Sequence, residues 1–237
     1  MYYGDNACIK IGDKLTRTFK CNQGVKQGCI LSPTLFNIYL SDLSKIISQM
    51  KNDPITVVEH KSIGCLIWAD DLLLLSKTEA GLNNMLKDLE LYSKENGLKL
   101  NLDKTKCMIF NKTGRKIRGN FNFQENKIEI TREYKYLGFV ITPSGEITTG
   151  LQDLRDRAMR GYHKLKTALN YHFRSRPMIT TKLFESLIKP ILLYGSDFWG
   201  CLKMPKVNPI ELVQNKFLKD LLGVQKQTTN IGVLLEM

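Results

Sequence analysis

At 237 residues the chain is long enough to bury a real core, as one large domain or two small ones. Its 35 lysines and arginines against 23 acidic residues leave a formal charge of +12, which points to a polyanionic partner, nucleic acid ahead of an anionic membrane surface. No apolar run reaches the roughly 18–20 residues that a membrane span needs, and the polar start carries no signal-peptide pattern, so neither a membrane protein nor a secreted one is expected.

Cys8, Cys21, Cys29, Cys65, Cys107 and Cys201 form no CxxC pair, and the three histidines do not cluster with them. A zinc site or a disulfide framework is therefore not expected. A reducing intracellular compartment, nucleus or cytoplasm, fits better.

In chain order, residues 7–21 read as two short strands joined at "GDK" (12–14). The glycine-punctuated loop "GVKQGCILSP" then leads into a helix, with Ser32 as N-cap and Pro33 at the first helical position. Leu35, Phe36, Tyr39, Leu43, Ile46, Ile47 and Met50 recur at helical spacing, which predicts one helix to about residue 51. Strands follow over 55–76. Thr78 can cap a second helix that buries Leu82, Met85, Leu86 and Leu89 and stops at Gly97. Short strands are predicted near 98–101, 106–110, 127–130 and 134–142, with the basic loop "NKTGRKIRGN" among them.

From residue 150 the pattern turns helical. Leu151, Leu154, Ala158, Leu165 and Leu169 make one stripe, and Arg157, Arg160 and Lys164 fall on roughly the opposite side. Two more helices are expected over about 178–194 and 208–222. The reading is an α+β body to residue 149 and a basic helical part over 150–237.

The stretch "GCLIWADDLLLLSK" (64–77) sets Asp70 and Asp71 side by side within an apolar run. On a regular strand, one of two neighbouring aspartates would face apolar surroundings, at high cost to an unpaired carboxylate. A tight turn removes the conflict and places the pair at the tip of a hairpin with buried arms. Two carboxylates on a rigid tip call for a hard divalent cation such as magnesium. With a basic chain, this chemistry points to nucleotidyl transfer on nucleic acid. A solvent-exposed "DD" turn without chemistry is the plainer alternative.

"WADD" with its apolar flanks resembles the aromatic-x-Asp-Asp hairpin of reverse transcriptases. "GVKQGCILSPTLFNIYL" (24–40) resembles the G-x-x-QG-x-x-x-SP-x-LFN block of that family, "GLKLNLDKTKCMIF" (97–110) its lysine-bearing block, and "YKYLGFVIT" (134–142) its primer-grip hairpin. The wording of these blocks and the tail "LIKPILLYGSDFWG" are most similar to non-LTR (LINE-type) retrotransposons. The resemblance implies a polymerase palm, an antiparallel sheet packed on helices, followed by a helical thumb-like region. It implies RNA-templated DNA synthesis with an RNA template, a DNA primer, deoxynucleoside triphosphates and Mg2+, or Mn2+ in its place.

By the same resemblance Asp70 is the principal metal ligand and Asp71 a more peripheral acid. Trp68 stands where the family has Tyr or Phe. Gly24, Gln27, Gly28, Ser32 and Pro33 would line the pocket for incoming nucleotide and template, and Lys104 would assist the leaving pyrophosphate, with Lys99 and Lys106 competing for that role. Tyr136, Leu137 and Gly138 would form the primer-grip turn, and Arg157, Arg160 and Lys164 would follow the template–primer backbone. The family's remaining catalytic aspartate lies on a strand before the "QGC" loop. Only Asp5 and Asp13 precede Gly24, and neither fits the "FD" pattern. The expectation is an N-terminally truncated palm without fingers, inactive alone. The alternative is a non-catalytic nucleic-acid-binding remnant.

Overall fold

A computed structural model describes residues 5–21, 24–49, 52–58, 61–113, 117–202, 205 and 208–235. The chain divides into two compact units, Met1–Thr105 with Gly119–Glu129, and Lys106–Arg118 with Ile130–Met237. Residues 130–149 pack with the helices that follow them.

In the first unit, Asp5–Ala7 pairs antiparallel with Phe19–Cys21 around a smaller hairpin, Lys10–Ile11 with Lys14–Leu15, which turns at Gly12 with φ +60°. Helices α1 (Ser32–Tyr39) and α2 (Leu43–Ile47) replace the single helix expected here. Ser41 and Asp42 supply the break, since short polar side chains favour caps and turns over helix interiors. Ser32 is not the N-cap: Leu31 holds that position, and the Ser32 hydroxyl donates instead to Lys26 O at 2.6 Å.

Two hairpins follow, Ile55–Val58 with Lys61–Ile63 and Cys65–Trp68 with Asp71–Leu74. Helix α3 (Glu79–Glu95) begins where expected, with the Thr78 hydroxyl accepting from Gly81 N at 3.0 Å. Its Met85, Leu86, Leu89 and Tyr92 are buried, as are Leu43 and Ile47 of α2, against which it packs. Buried Asn52 ties the two, its amide donating to Ile47 O and Asp88 Oδ2. The strand expected at 98–101 is absent. Asn101 instead accepts from the Lys104 and Thr105 amides and makes a turn.

Among the described residues every ladder is two-stranded, and no continuous palm-like sheet forms. The strands are two to four residues long and give a second neighbour little to pair with.

The second unit is built on α4 (Thr148–Leu169), α5 (His172–Ser175), α6 (Pro177–Leu187), α7 (Lys189–Leu192), α8 (Ser196–Trp199), α9 (Pro209–Leu222) and α10 (Asn230–Leu235). The expected 178–194 helix is interrupted at Ile188, where Pro190 removes a helical N–H. One apolar cluster joins Leu151, Leu154, Ala158, Tyr162 and Leu165 of α4 to Phe184 of α6 and Val213, Phe217 and Leu221 of α9. Glycine at 150 lets α4 lie directly on the hairpin Tyr134–Tyr136/Phe139–Ile141: an added Cβ would come within 2.3 Å of the Phe139 ring.

A polar knot sits beside this core. The Tyr162 hydroxyl and the Lys166 ammonium both donate to Asp220 Oδ2, the latter at 2.9 Å. Burial alone would push the Asp220 carboxyl up. The hydrogen bonds from Tyr162 and Lys166, with the charges of Lys166 and Lys216, outweigh it and leave the group below its ordinary value. The folded state then binds this proton less readily than the unfolded chain. The resulting stabilisation is present above about pH 4 and is lost as the pH falls through the folded value. Burial first, then Asp220, pushes the Tyr162 phenol well above its ordinary value. That contribution is present below about pH 10 and declines as the pH rises further. Urea midpoints measured across pH should therefore fall at both ends, and Asp220→Asn should flatten the acid limb.

Candidate functional site

The structure puts Asp70 and Asp71 at the tip of the 65–74 hairpin. Trp68 pairs with Asp71, leaving Ala69 and Asp70 as the two loop residues. Ala69 takes φ +53°, the sign that a twisted hairpin turn demands and that a non-glycine residue adopts at a cost of about 1–2 kcal/mol. Both carboxylates are exposed, and among the described residues neither has a hydrogen bond or ion pair.

The arms are half-buried, not buried as expected. Leu66 is 43% and Trp68 67% exposed, since this two-stranded ribbon packs on α2 and gains no neighbouring strand among the described residues. Glycine at 64 allows a close approach to the end of α2, since an added Cβ would come within 2.9 Å of Ser48 Cα and 3.3 Å of Ile47 O.

The "GVKQGC" loop is exposed at Gly24, Gln27 and Gly28. Both glycines have positive φ, +91° and +80°, and an added Cβ at either would meet nothing within 4 Å. Glycine here serves the backbone path, and the space beside it is open. The Ser32–Lys26 bond folds the loop back on the start of α1, and Pro33 occupies the first turn of that helix. Lys104 is exposed in the Asn101 turn, and its ammonium has no partner among the described residues.

In the second unit, Tyr136 pairs with Phe139, and the loop residues Leu137 and Gly138 take φ +45° and +82°. Both signs positive is the pattern of a type I′ turn. Sequence reasoning did not anticipate what grips this turn. The Tyr194 hydroxyl donates to Leu137 O, and Arg157 Nη2 donates to Gly138 O at 2.9 Å. Arg157 also pairs with Asp153 at 3.0 Å, and Asp153 receives Lys135 at 3.1 Å. Arg157 is therefore half-buried and engaged inside the unit, whereas Arg160 and Lys164 are exposed. Of the three cations expected to follow a nucleic-acid backbone, Arg157 is the one engaged within its own unit, by Asp153 and the Gly138 carbonyl. The signal for Tyr194 lay in "LLYGSDFWG", an aromatic followed by a glycine where the helix is interrupted.

The donor set tests the cation. Two oxygen-only carboxylates suit magnesium in kind, because that ion commonly takes one or two carboxylates together with phosphates and water. No group of three or more His, Cys, Asp or Glu side chains gathers among the described residues. The set is therefore short for two ions.

Residues 2–141 match the family described as reverse transcriptase (RNA-dependent DNA polymerase), and the chain belongs to that family. Its relatives come from non-LTR mobile elements. It is 25% identical over 215 residues to the RNA-directed DNA polymerase from mobile element jockey of Drosophila melanogaster, covering 84% of this chain and 22% of that protein. It is 31% identical over 156 residues to a Pol polyprotein from a type-1 R2 retrotransposable element of Nasonia vitripennis, covering 62% of this chain and 15% of that protein. A probable RNA-directed DNA polymerase from transposon BS of Drosophila melanogaster matches at 26%, over 83% of this chain. The chain thus spans about a fifth of the length of such relatives. No helix among the described residues is long and apolar enough to cross a membrane.

Proposed function

We propose that this chain supplies part of the palm (1–149) and a basic thumb-like region (150–237) for magnesium-dependent, RNA-templated DNA synthesis. The exposed, unpartnered pair Asp70–Asp71 at the tip of the hairpin, one in the turn and one on the strand beside it, carries the reading. Asp70 would be the principal ligand of the cation, with Asp71 beside it; Mn2+ suits the same oxygens. When bound, such an ion supplies neutralisation of phosphate charge and activation of the attacking oxygen. Gly24, Gln27, Gly28, Ser32 and Pro33 would border incoming nucleotide and template. Lys104, free in its turn, would neutralise or protonate the leaving pyrophosphate. Tyr136, Leu137 and Gly138 would hold the primer end. Arg160 and Lys164 would contact phosphates of the template–primer duplex, at a site of action in nucleus or cytoplasm.

Two acids anchor too little for two ions, so the chain by itself is expected not to polymerise. The same observation favours the second reading, a nucleic-acid-binding remnant without chemistry. Primer extension on an RNA template with Mg2+ should give no product above the Asp70→Ala background. Extension that Asp70→Ala abolishes would show a complete site and sink the incompleteness argument. Mn2+ binding in the presence of primer–template and nucleotide separates the two readings. The palm reading expects Asp70→Asn with Asp71→Asn to weaken it, and binding indifferent to both changes leaves only the remnant.

A further inference from the structure

The hairpin tip at Leu137–Gly138 is held by contacts its own strands do not supply. Turn carbonyls at a surface are ordinarily left to water. Here both are taken by side chains that arrive from separate places, Tyr194 just beyond α7 and Arg157 in α4. The hydroxyl end of the Tyr194 ring also lies close to the glycine, so that a Cβ at Gly138 would sit 3.1–3.3 Å from its Cε1, Oη and Cζ atoms.

Each holder is itself held. Tyr194 O accepts from Trp199 Nε1 at 2.8 Å, and Trp199 is buried. Asp153 fixes Arg157 and, through Lys135, the strand that enters the turn. Leu137, a bulky residue at positive φ, is costly to place in this conformation, and such a conformation persists only where the surroundings over-determine it.

We infer that Tyr194 and Arg157 are positioning residues that lock the Leu137–Gly138 turn to the helices of its own unit. The turn then moves as one body with α4 and the 193–199 segment. The role rests on the assignment of this turn to the primer end; the clamp itself does not.

Tyr194→Phe tests it, because the ring stays against Gly138 and only the hydroxyl is lost. Arg157→Lys keeps the Asp153 partner and loses the fork that reaches Gly138 O. In each variant the backbone amide NMR signals of Leu137 and Gly138 should shift and their hydrogen exchange should quicken, while the Trp199 unfolding midpoint stays close to the parent's. The preference for a DNA primer with a recessed 3′ end on RNA, over the same duplex made blunt, should fall about 2- to 10-fold, the worth of one hydrogen bond. Amide signals that stay in place overturn the clamp. Signals that move while the preference holds overturn the primer-end assignment, and with it the positioning role.

Discussion

Phe217→Ala is expected to destabilise the helical unit by about 3–5 kcal/mol, the usual cost of deleting a fully buried ring. Phe217 is 1% exposed. Its ring stacks on Phe184 at 3.9 Å between centroids and 10° between planes, and meets the rings of Tyr162 and Phe173 edge-on at 6.3 and 6.2 Å. Truncation therefore removes contacts to α4, α5 and α6 at once. The surrounding helices cannot close the space without moving Tyr162, whose hydroxyl is committed to Asp220. Against a domain stability of about 5–15 kcal/mol, the loss is large enough to populate the unfolded unit. The two tryptophans give a clean readout, since Trp199 is buried in this unit and Trp68 is exposed in the other. On a Trp68→Phe background, the urea midpoint reported by Trp199 should drop with the slope unchanged. A loss below about 1 kcal/mol would mean that the aromatic cluster does not hold the unit together.

The features legible in the sequence are those encoded over a few neighbouring positions. Thr78 followed by a periodic apolar face gave helix α3 within a residue or two of its observed ends. Adjacent aspartates between apolar runs forced a turn, and the turn is there. The stripe from Leu151 to Leu165 is the buried face of α4. What escaped depends on partners distant along the chain. Tyr194 and Leu137 are 57 residues apart, and no periodicity connects a tyrosine beside a helix break to one carbonyl of a remote hairpin. Arg157 shares a helical line with Arg160 and Lys164, so spacing groups all three. Only Asp153 and the Gly138 carbonyl turn it inward. Ser32 has the composition of an N-cap, and the fold of its loop diverts the hydroxyl to Lys26 O. The half-exposed arms of the 65–74 hairpin are a related case. Apolar composition marks both strands for burial, and whether they achieve it depends on what packs beside them.

The same distinction among the three cations of α4 makes a second large effect predictable. Binding that neutralises 6–10 phosphates weakens by about 10³- to 10⁵-fold between 50 and 200 mM salt, because each neutralised phosphate releases condensed counterions. Exposed Arg160 and Lys164 are free to contribute to that slope. Arg157 is not, since its guanidinium is shared between Asp153 and Gly138 O. Arg160→Gln with Lys164→Gln should therefore lower the slope of log affinity against log salt by about 1–2, equally on any template sequence. Arg157→Gln, which removes the charge, should leave the slope where it was, even though it loosens the turn. Titrations of a labelled RNA–DNA duplex at several salt concentrations decide the matter. An Arg157 variant that changes the slope as much as the other two would show that its charge reaches phosphate, and that the contact with Asp153 opens when nucleic acid binds. A slope unmoved by the Arg160 and Lys164 changes would take this face of α4 out of the nucleic-acid surface and move the basic contact elsewhere on the chain.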